Sequence, residues 1–256
     1  GIDLSIGSTI ALSTVVVARL LAANQSPLVA ALGGIGAGLL AGLLIGLLVT
    51  KLKLSPFIVT LGTLGAYRGL AKGLADETVV QAPTTGLNTV MSTLTPGTKW
   101  MIFPPGVWIT LLLGVLVAAM LRYTRFGRHI FAIGSSEATA RLCGVPVDLT
   151  KLGIYTLGAA LAGVAGVLQF SFLTIGDPTT ASGYELSAIA AVVIGGASLS
   201  GGQGSILGSL LGATLMTVIA NGGTKMNLPN WVQEIVTGVI IVLAVTLDRL
   251  RHRSQS

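Results

Sequence analysis

Charge is what this chain has least of. Only 9% of its 256 residues are Asp, Glu, Lys or Arg, where a soluble domain carries about 25%. With 52% hydrophobic residues beside that shortage, the composition is that of an integral membrane protein. There is one cysteine, Cys143, which excludes an internal disulfide and a cysteine metal cluster. The two histidines, His129 and His252, both fall in charged segments rather than apolar runs, so no histidine relay or metal site is expected at membrane depth. Carboxylates are scarce too: Asp3, Asp76, Glu77, Glu137, Asp148, Asp177, Glu185, Glu234 and Asp248. None sits in the middle of an apolar run, where ion- or proton-coupled carriers usually place one. That argues against a secondary transporter that powers itself. The basic residues flank apolar runs and form no continuous stripe, which disfavours nucleic acid as a partner. The chain opens on Gly1 with no n-region or cleavage site, so a signal peptide is not expected.

Long apolar runs and glycine are what it has. A spanning helix needs about 20 mostly apolar residues. Eight runs qualify, at about 4–23, 27–49, 55–74, 106–121, 152–174, 186–199, 204–221 and 231–247. The expected fold is an all-α polytopic membrane helix bundle, one transmembrane domain over 1–256. The sixth run is short and ends in glycines, which suits a half-helix or re-entrant element. Among the 35 glycines, Gly34, Gly38, Gly42 and Gly46 line one face of the second run, and Gly204, Gly208 and Gly212 one face of the seventh. Small residues at this spacing let helix backbones approach closely.

Orientation follows from the positive-inside rule. With segment 122–151 in the cytoplasm, Lys51, Lys53, Arg122, Arg125, Arg128, Arg141, Lys151, Arg249, Arg251 and Arg253 all fall inside, ten of the fifteen basic residues. Arg68, Lys72, Lys99 and Lys225 fall outside or near the outer face, and Arg19 near the outer end of a span, where it is expected to snorkel. The C-terminal tail DRLRHRSQS is then cytoplasmic. The segment from Asp76 to Pro105 becomes an outer loop, with Trp100 and Trp108 as an interface belt.

Segment 122–151, RYTRFGRHIFAIGSSEATARLCGVPVDLTK, is too polar for lipid. Its middle predicts one helix of about two turns. Ser135 or Ser136 is a good N-cap, Glu137 suits the positive end of the helix dipole, and Arg141 the negative end. Gly144 is placed for the left-handed C′ position and Pro146 stops continuation. A helix this short is marginal alone and needs a surface to pack against. Its own membrane domain and another protein are both open readings.

Other polar groups could face a solute. Ser5, Thr9 and Ser13 repeat at i, i+4; Thr60, Thr63 and Tyr67 share a face of the third run; Gln169 lies in the fifth beside Phe170 and Phe172. Hydroxyls, an amide and aromatic faces suit a neutral, hydroxyl-rich solute, and they equally suit interhelical hydrogen bonds. Leu199-Ser200-Gly201-Gly202-Gln203 spells LSGGQ, the signature peptide of ATP-binding-cassette ATPases. No Gly-rich phosphate loop ending in GK[ST] accompanies it, so it reads as a coincidence and a tight turn between two spans. Ser198 and Ser200 have no base near them in sequence, which disfavours a serine protease.

Several blocks go further. GIDLSIGS at the start, PFIVTLGTLGAYRGLA at 56–71, GRHIFAIGSSEATARLCGVPV at 127–147 and GYELSAIAAVVIGGASLSGGQGS at 183–205 resemble one family. It is the permease subunit of bacterial ribose-type sugar ABC importers. The resemblance covers essentially the whole chain, in order. It implies that Glu137, Ala138, Ala140, Arg141 and Gly144 belong to the coupling helix that docks on the ATPase subunit, which moves the balance for this helix towards docking. It implies an ABC ATPase that binds the ATP and magnesium (no cofactor on this chain), a periplasmic sugar-binding protein, and a second permease copy or paralogue, in the bacterial inner membrane among its lipids. It also implies further residues, including at least one more span, before the GIDLS block. Rival readings are a secondary transporter, a membrane-bound enzyme and a passive channel.

Overall fold

The structure, a computed structural model, describes residues 1–94 and 99–253. Residues 95–98 of the expected outer loop and 254–256 of the expected cytoplasmic tail lie outside the described residues. The protein is a polytopic helical membrane protein, and each of the eight apolar runs is a helix. They are α1 (Ile6–Ala22), α2 (Pro27–Thr50), α3 (Pro56–Leu74), α4 (Pro105–Tyr123), α7 (Val147–Leu173), α8 (Tyr184–Ile194), α9 (Ile206–Lys225) and α10 (Asn230–Arg253). Two further helices, α5 (Arg125–Ser135) and α6 (Glu137–Leu142), fill the space between α4 and α7. By length and composition α2, α4, α7 and α9 can each cross a membrane, while α1 and α8 are shorter apolar helices. The sole ladder among the described residues is two residues long: β1 (Val80–Gln81) pairs antiparallel with β2 (Ile175–Gly176).

Local chemistry sets the helix ends. Ser26 precedes Pro27, its Oγ accepts from the Val29 N–H at 3.3 Å, and the proline fills a first-turn position whose N–H would be orphaned anyway. Ser205 caps α9 by accepting from the Gly208 N–H at 3.0 Å. Several C-termini close with the same pair of backbone bonds. After α1 the Gln25 N–H reaches Leu20 O and the Asn24 N–H reaches Leu21 O. After α3 the Glu77 N–H reaches Lys72 O; after α9 the Leu228 N–H reaches Gly223 O. The left-handed residue that this closure needs is Asn24, Asp76 or Asn227, with φ of 58°, 51° and 54°. Their short polar side chains tolerate that conformation better than other non-glycine residues do.

The chain divides into two compact units, Gly1–Leu112 with Asp148–Glu185, and Leu113–Val147 with the residues from Leu186 onward. In the first unit α1 is the central element. Its Val15, Val17, Ala18 and Leu21 are fully buried, in one cluster with Ala30, Ile45, Tyr67, Tyr155 and Phe170. The glycines of α2 explain how helices come so close. A Cβ on Gly34 would stand 2.6 Å from Val17 and 2.8 Å from Ser13 Oγ on α1. Cβ atoms on Gly38 and Gly42 would run into the carbonyls of Ala159 and Tyr155 on α7, and one on Gly46 would lie 2.7 Å from Leu152. Gly36, on the same helix, has open space instead. Position on the helix therefore decides which glycines matter.

In the second unit α8 and α9 meet in the same way. A Cβ on Gly208 would strike Gly195 O, and one on Gly212 would strike Ala191 O. Gly204 does not belong to this face, contrary to the spacing argument. It precedes the Ser205 cap with φ +155°, outside the helix. Segment 122–151 holds more than the one helix expected in its middle: α4 runs to Tyr123, α7 starts at Val147, and α5 and α6 lie between. Arg19 does not simply reach for water. It pairs with Asp76, and its Nε donates to Leu74 O at 2.6 Å, tying the end of α1 to the end of α3.

Candidate functional site

The polar segment between α4 and α7 is built by a series of side-chain caps. Thr124 ends α4 and starts α5: its Oγ1 donates to Met120 O at 2.7 Å and accepts from the Gly127 N–H at 3.1 Å. The turn is so tight that a Cβ on Gly127 would strike the Leu121 backbone. In α5, Phe126, Ile130 and Ile133 recur at i, i+4, i+7 and are partly buried, while Arg125 and Arg128 are exposed. This is an amphipathic helix by its spacing.

Ser136 then closes α5 and opens α6. Its backbone is extended, its Oγ accepts from the Thr139 N–H at 3.3 Å, and the two hydroxyl oxygens are 2.9 Å apart. Glu137 and Arg141 stand one turn apart on the exposed side at 3.5 Å. Such an exposed pair adds only about 0.3–0.5 kcal/mol to the helix. It sets which charges the outer face presents more than it sets stability. At the far end the Gly144 N–H reaches Arg141 O at 3.1 Å and the Val145 N–H reaches Ala140 O at 3.0 Å. Gly144 has φ +79°, the left-handed value this closure requires. Of the six helical residues Ala140 alone is buried, at 4% exposure. Glu137, Ala138, Arg141 and the 89% exposed Leu142 form the outward face. Chemically, α6 is a capped two-turn knob. One small residue seats it, and an acid, a base and a leucine face outward.

The hydroxyl and amide groups singled out as possible solute contacts all lie in the first unit. Most are engaged within the protein. Ser5 Oγ donates to Asp3 Oδ1 at 2.7 Å. Thr60 Oγ1 donates to Ile2 O at 3.2 Å, Thr63 Oγ1 to Thr60 O at 3.2 Å, and Tyr67 Oη to Ala41 O at 2.8 Å. Ser13 Oγ bridges α1 to α7 through Gly163 O at 2.9 Å. Gln169 Nε2 donates to Thr180 Oγ1 at 3.1 Å. Phe170 is fully buried beside it and Phe172 is exposed. Thr9 differs: it is 1% exposed and its Oγ1 has no hydrogen-bond partner.

Sequence reasoning missed two features. The first is α5, whose apolar spacing was readable but was interrupted by Gly127, Gly134 and three basic residues. The second is the role of Arg68. Its guanidinium donates to Pro178 O at 2.9 Å and Thr180 O at 2.7 Å, and so pins the segment between β2 and α8 onto α3. Asp177 shapes the same segment by accepting from the Thr179 N–H at 2.8 Å. Beyond it, Glu185 in the first turn of α8 turns one buried, unpartnered carboxylate oxygen towards Gly7.

Comparison with known proteins covers the whole arrangement. The family model described as "Branched-chain amino acid transport system / permease component" matches residues 1–245. The ribose import permease protein RbsC of Bacillus subtilis strain 168 is 39% identical over 250 residues, covering 97% of this chain and 76% of that protein. The protein of the same name from Escherichia coli K12 is 36% identical over 252 residues, covering 98% and 78%. The L-arabinose transport system permease protein AraH of E. coli K12 is 34% identical over 253 residues, covering 99% and 76%. No solved structure matches the chain.

Proposed function

The chain belongs to the permease family of the branched-chain amino acid transport system type, and from that membership we propose that it is the translocation subunit of an ATP-driven importer for a small, ribose-like sugar. The relatives named for ribose and L-arabinose import support the sugar class.

The permease itself hydrolyses nothing in this reading. A partner ABC ATPase binds ATP and magnesium, a periplasmic sugar-binding protein delivers the solute, and two permease chains, identical or paralogous, form the pathway in the inner membrane. Segment 122–151 and the C-terminus face the cytoplasm. The observation that carries the reading is α6. It is seated by Ala140, capped at both ends, and presents Glu137, Ala138, Arg141 and Leu142 outward. Such a knob suits insertion into a cleft on the ATPase. ATP binding and hydrolysis move the ATPase domains, α6 follows, and the spans open alternately to the two sides. Within the first unit the polar lining is proposed from Ser5, Thr9, Thr60, Thr63, Tyr67 and Gln169. Thr9 is foremost because its buried hydroxyl lacks a partner, and a sugar hydroxyl would supply one at no desolvation penalty to the protein.

The test is co-purification from detergent with ABC ATPases, comparing the intact chain with one whose residues 135–146 are a flexible linker. The expected result is association lost on replacement. Association that survives replacement would remove α6 from the docking role. The double variant Glu137→Ala with Arg141→Ala is expected to keep the fold and lose sugar uptake; normal uptake would contradict the coupling role.

A further inference from the structure

The resemblance accounts for α6 as a docking element but leaves open what α6 moves. Gly134 and Ser135, the last two residues of α5, lie directly on the turn between α8 and α9. A Cβ on Gly134 would run into Gly202 N and lie 3.0 Å from Gly202 Cα. A Cβ on Gly201 would lie 2.6 Å from Gly134 O, and one on Gly202 2.5 Å from Ser135 Oγ. Between Gly134 and Gly201–Gly202 backbone rests on backbone, and beside it the short Ser135 side chain and its backbone N lie against Gly202. Ser136, the next residue, is the N-cap of α6.

The turn is closed by its own hydrogen bonds. Gly201 and Gly202 hold φ of +97° and +77°. The Ser198 N–H donates to Gln203 O at 3.2 Å, the Gly201 N–H to Ser198 O at 3.1 Å and the Ser200 N–H to Ser198 Oγ at 3.2 Å. It is joined just as tightly to the helices on both sides. The end of α8 is closed by Gly196 at φ +87°, with the Ala197 N–H on Val192 O at 3.1 Å. The start of α9 is capped by Ser205, and α8 touches α9 through Gly195, Gly208 and Gly212. Close-packed backbone has low compressibility and transmits displacement, whereas a side chain in the path would absorb it by changing rotamer. α8 itself is only 11 residues long, too short to span, so it can shift without drawing a whole span through the bilayer.

We infer that Gly134, Gly201 and Gly202 are positioning residues for transport: they form the contact through which movement of α5 and α6 reaches the half-helix α8 and its neighbour α9. The inference rests on the coupling reading of α6. The glycine pair Gly201–Gly202 of the pentapeptide at 199–203 thereby acquires a function unrelated to nucleotide binding: it is the receiving surface of a mechanical contact.

The test uses the permease with its ATPase in proteoliposomes. Gly134→Ala and Gly201→Ala are expected to co-purify with the ATPase and hydrolyse ATP, but to move roughly tenfold less sugar per ATP, within the range of ordinary coupling free energies. Gln203→Ala, exposed on the same turn, is the control and should transport normally. Unchanged sugar per ATP in the folded glycine variants would overturn the inference. A second measurement leaves the glycines in place. Spin labels at the exposed positions Ala132 and Gln203, in a Cys143→Ser background, should keep one separation with and without ATP. A separation that changes with nucleotide would show that the two surfaces slide apart, and would overturn it independently. Failure of the unaltered chain to bind any ATPase would instead remove the coupling reading on which this contact depends.

Discussion

At the residue scale, glycine governs stability and the hydroxyls govern packing. A Cβ at Gly42 would run into Tyr155 O and stand 2.6 Å from the Ala159 Cβ. Gly42→Val should therefore force α2 off α7, at a cost of about 1–3 kcal/mol. Gly36→Val, pointing into open space on the same helix, should leave thermal unfolding in detergent where it was. Equal shifts for the two would contradict the close packing. Tyr67→Phe removes the 2.8 Å bond to Ala41 O. It should reduce stability by about 1 kcal/mol, because that hydroxyl ties α3 to α2, and it should also shift the sugar preference, because Tyr67 belongs to the proposed lining. An unchanged sugar preference in competition uptake would remove Tyr67 from the lining. These roles could not be read in the sequence. Thr60, Thr63 and Tyr67 share a helix face, and only the located carbonyls of Ile2, Thr60 and Ala41 show which partners each hydroxyl has within the protein.

At the scale of elements, the sequence was most legible where chemistry is local. The extent of α6 follows from Ser136, Glu137, Arg141 and Gly144, since caps and dipole-matched charges act within one turn. The eight apolar runs likewise stand as helices, because in lipid a helix satisfies its own backbone groups. Legibility failed where a long-range or conformational fact decided. Gly204 shares the four-residue spacing of Gly208 and Gly212, yet its φ of +155° and the cap at Ser205 place it before the helix. α5 was hidden by its glycines, and Gly134 is glycine because of the turn at 201–202, which is distant in sequence. The cap of α6 can be tested directly. Ser136→Ala should cost the helix about 1 kcal/mol and weaken ATPase binding by roughly fivefold, and Ser136→Asp should restore it. Identical affinities for all three, by titration of purified components, would mean that α6 does not need to be preformed.

At the scale of the whole molecule, two compact units follow from a chain that crosses between them inside α4, at the start of α7 and near the start of α8. The first unit holds the buried hydroxyls and the unpartnered Thr9 Oγ1. The second holds α5, α6 and the glycine contacts to α8 and α9. Neither contains a nucleotide-binding loop in its sequence, and no carboxylate sits in mid-span to harvest an ion gradient. With the proposed translocation role, the energy source is expected on a partner. The most direct measurement is sugar uptake into proteoliposomes that contain this permease, its ATPase and its binding protein, in the presence of ionophores that abolish proton and sodium gradients. Uptake that requires all three proteins and ATP, and is unaffected by the ionophores, is the predicted result. Uptake by the permease alone that collapses with the gradients would contradict the central claim.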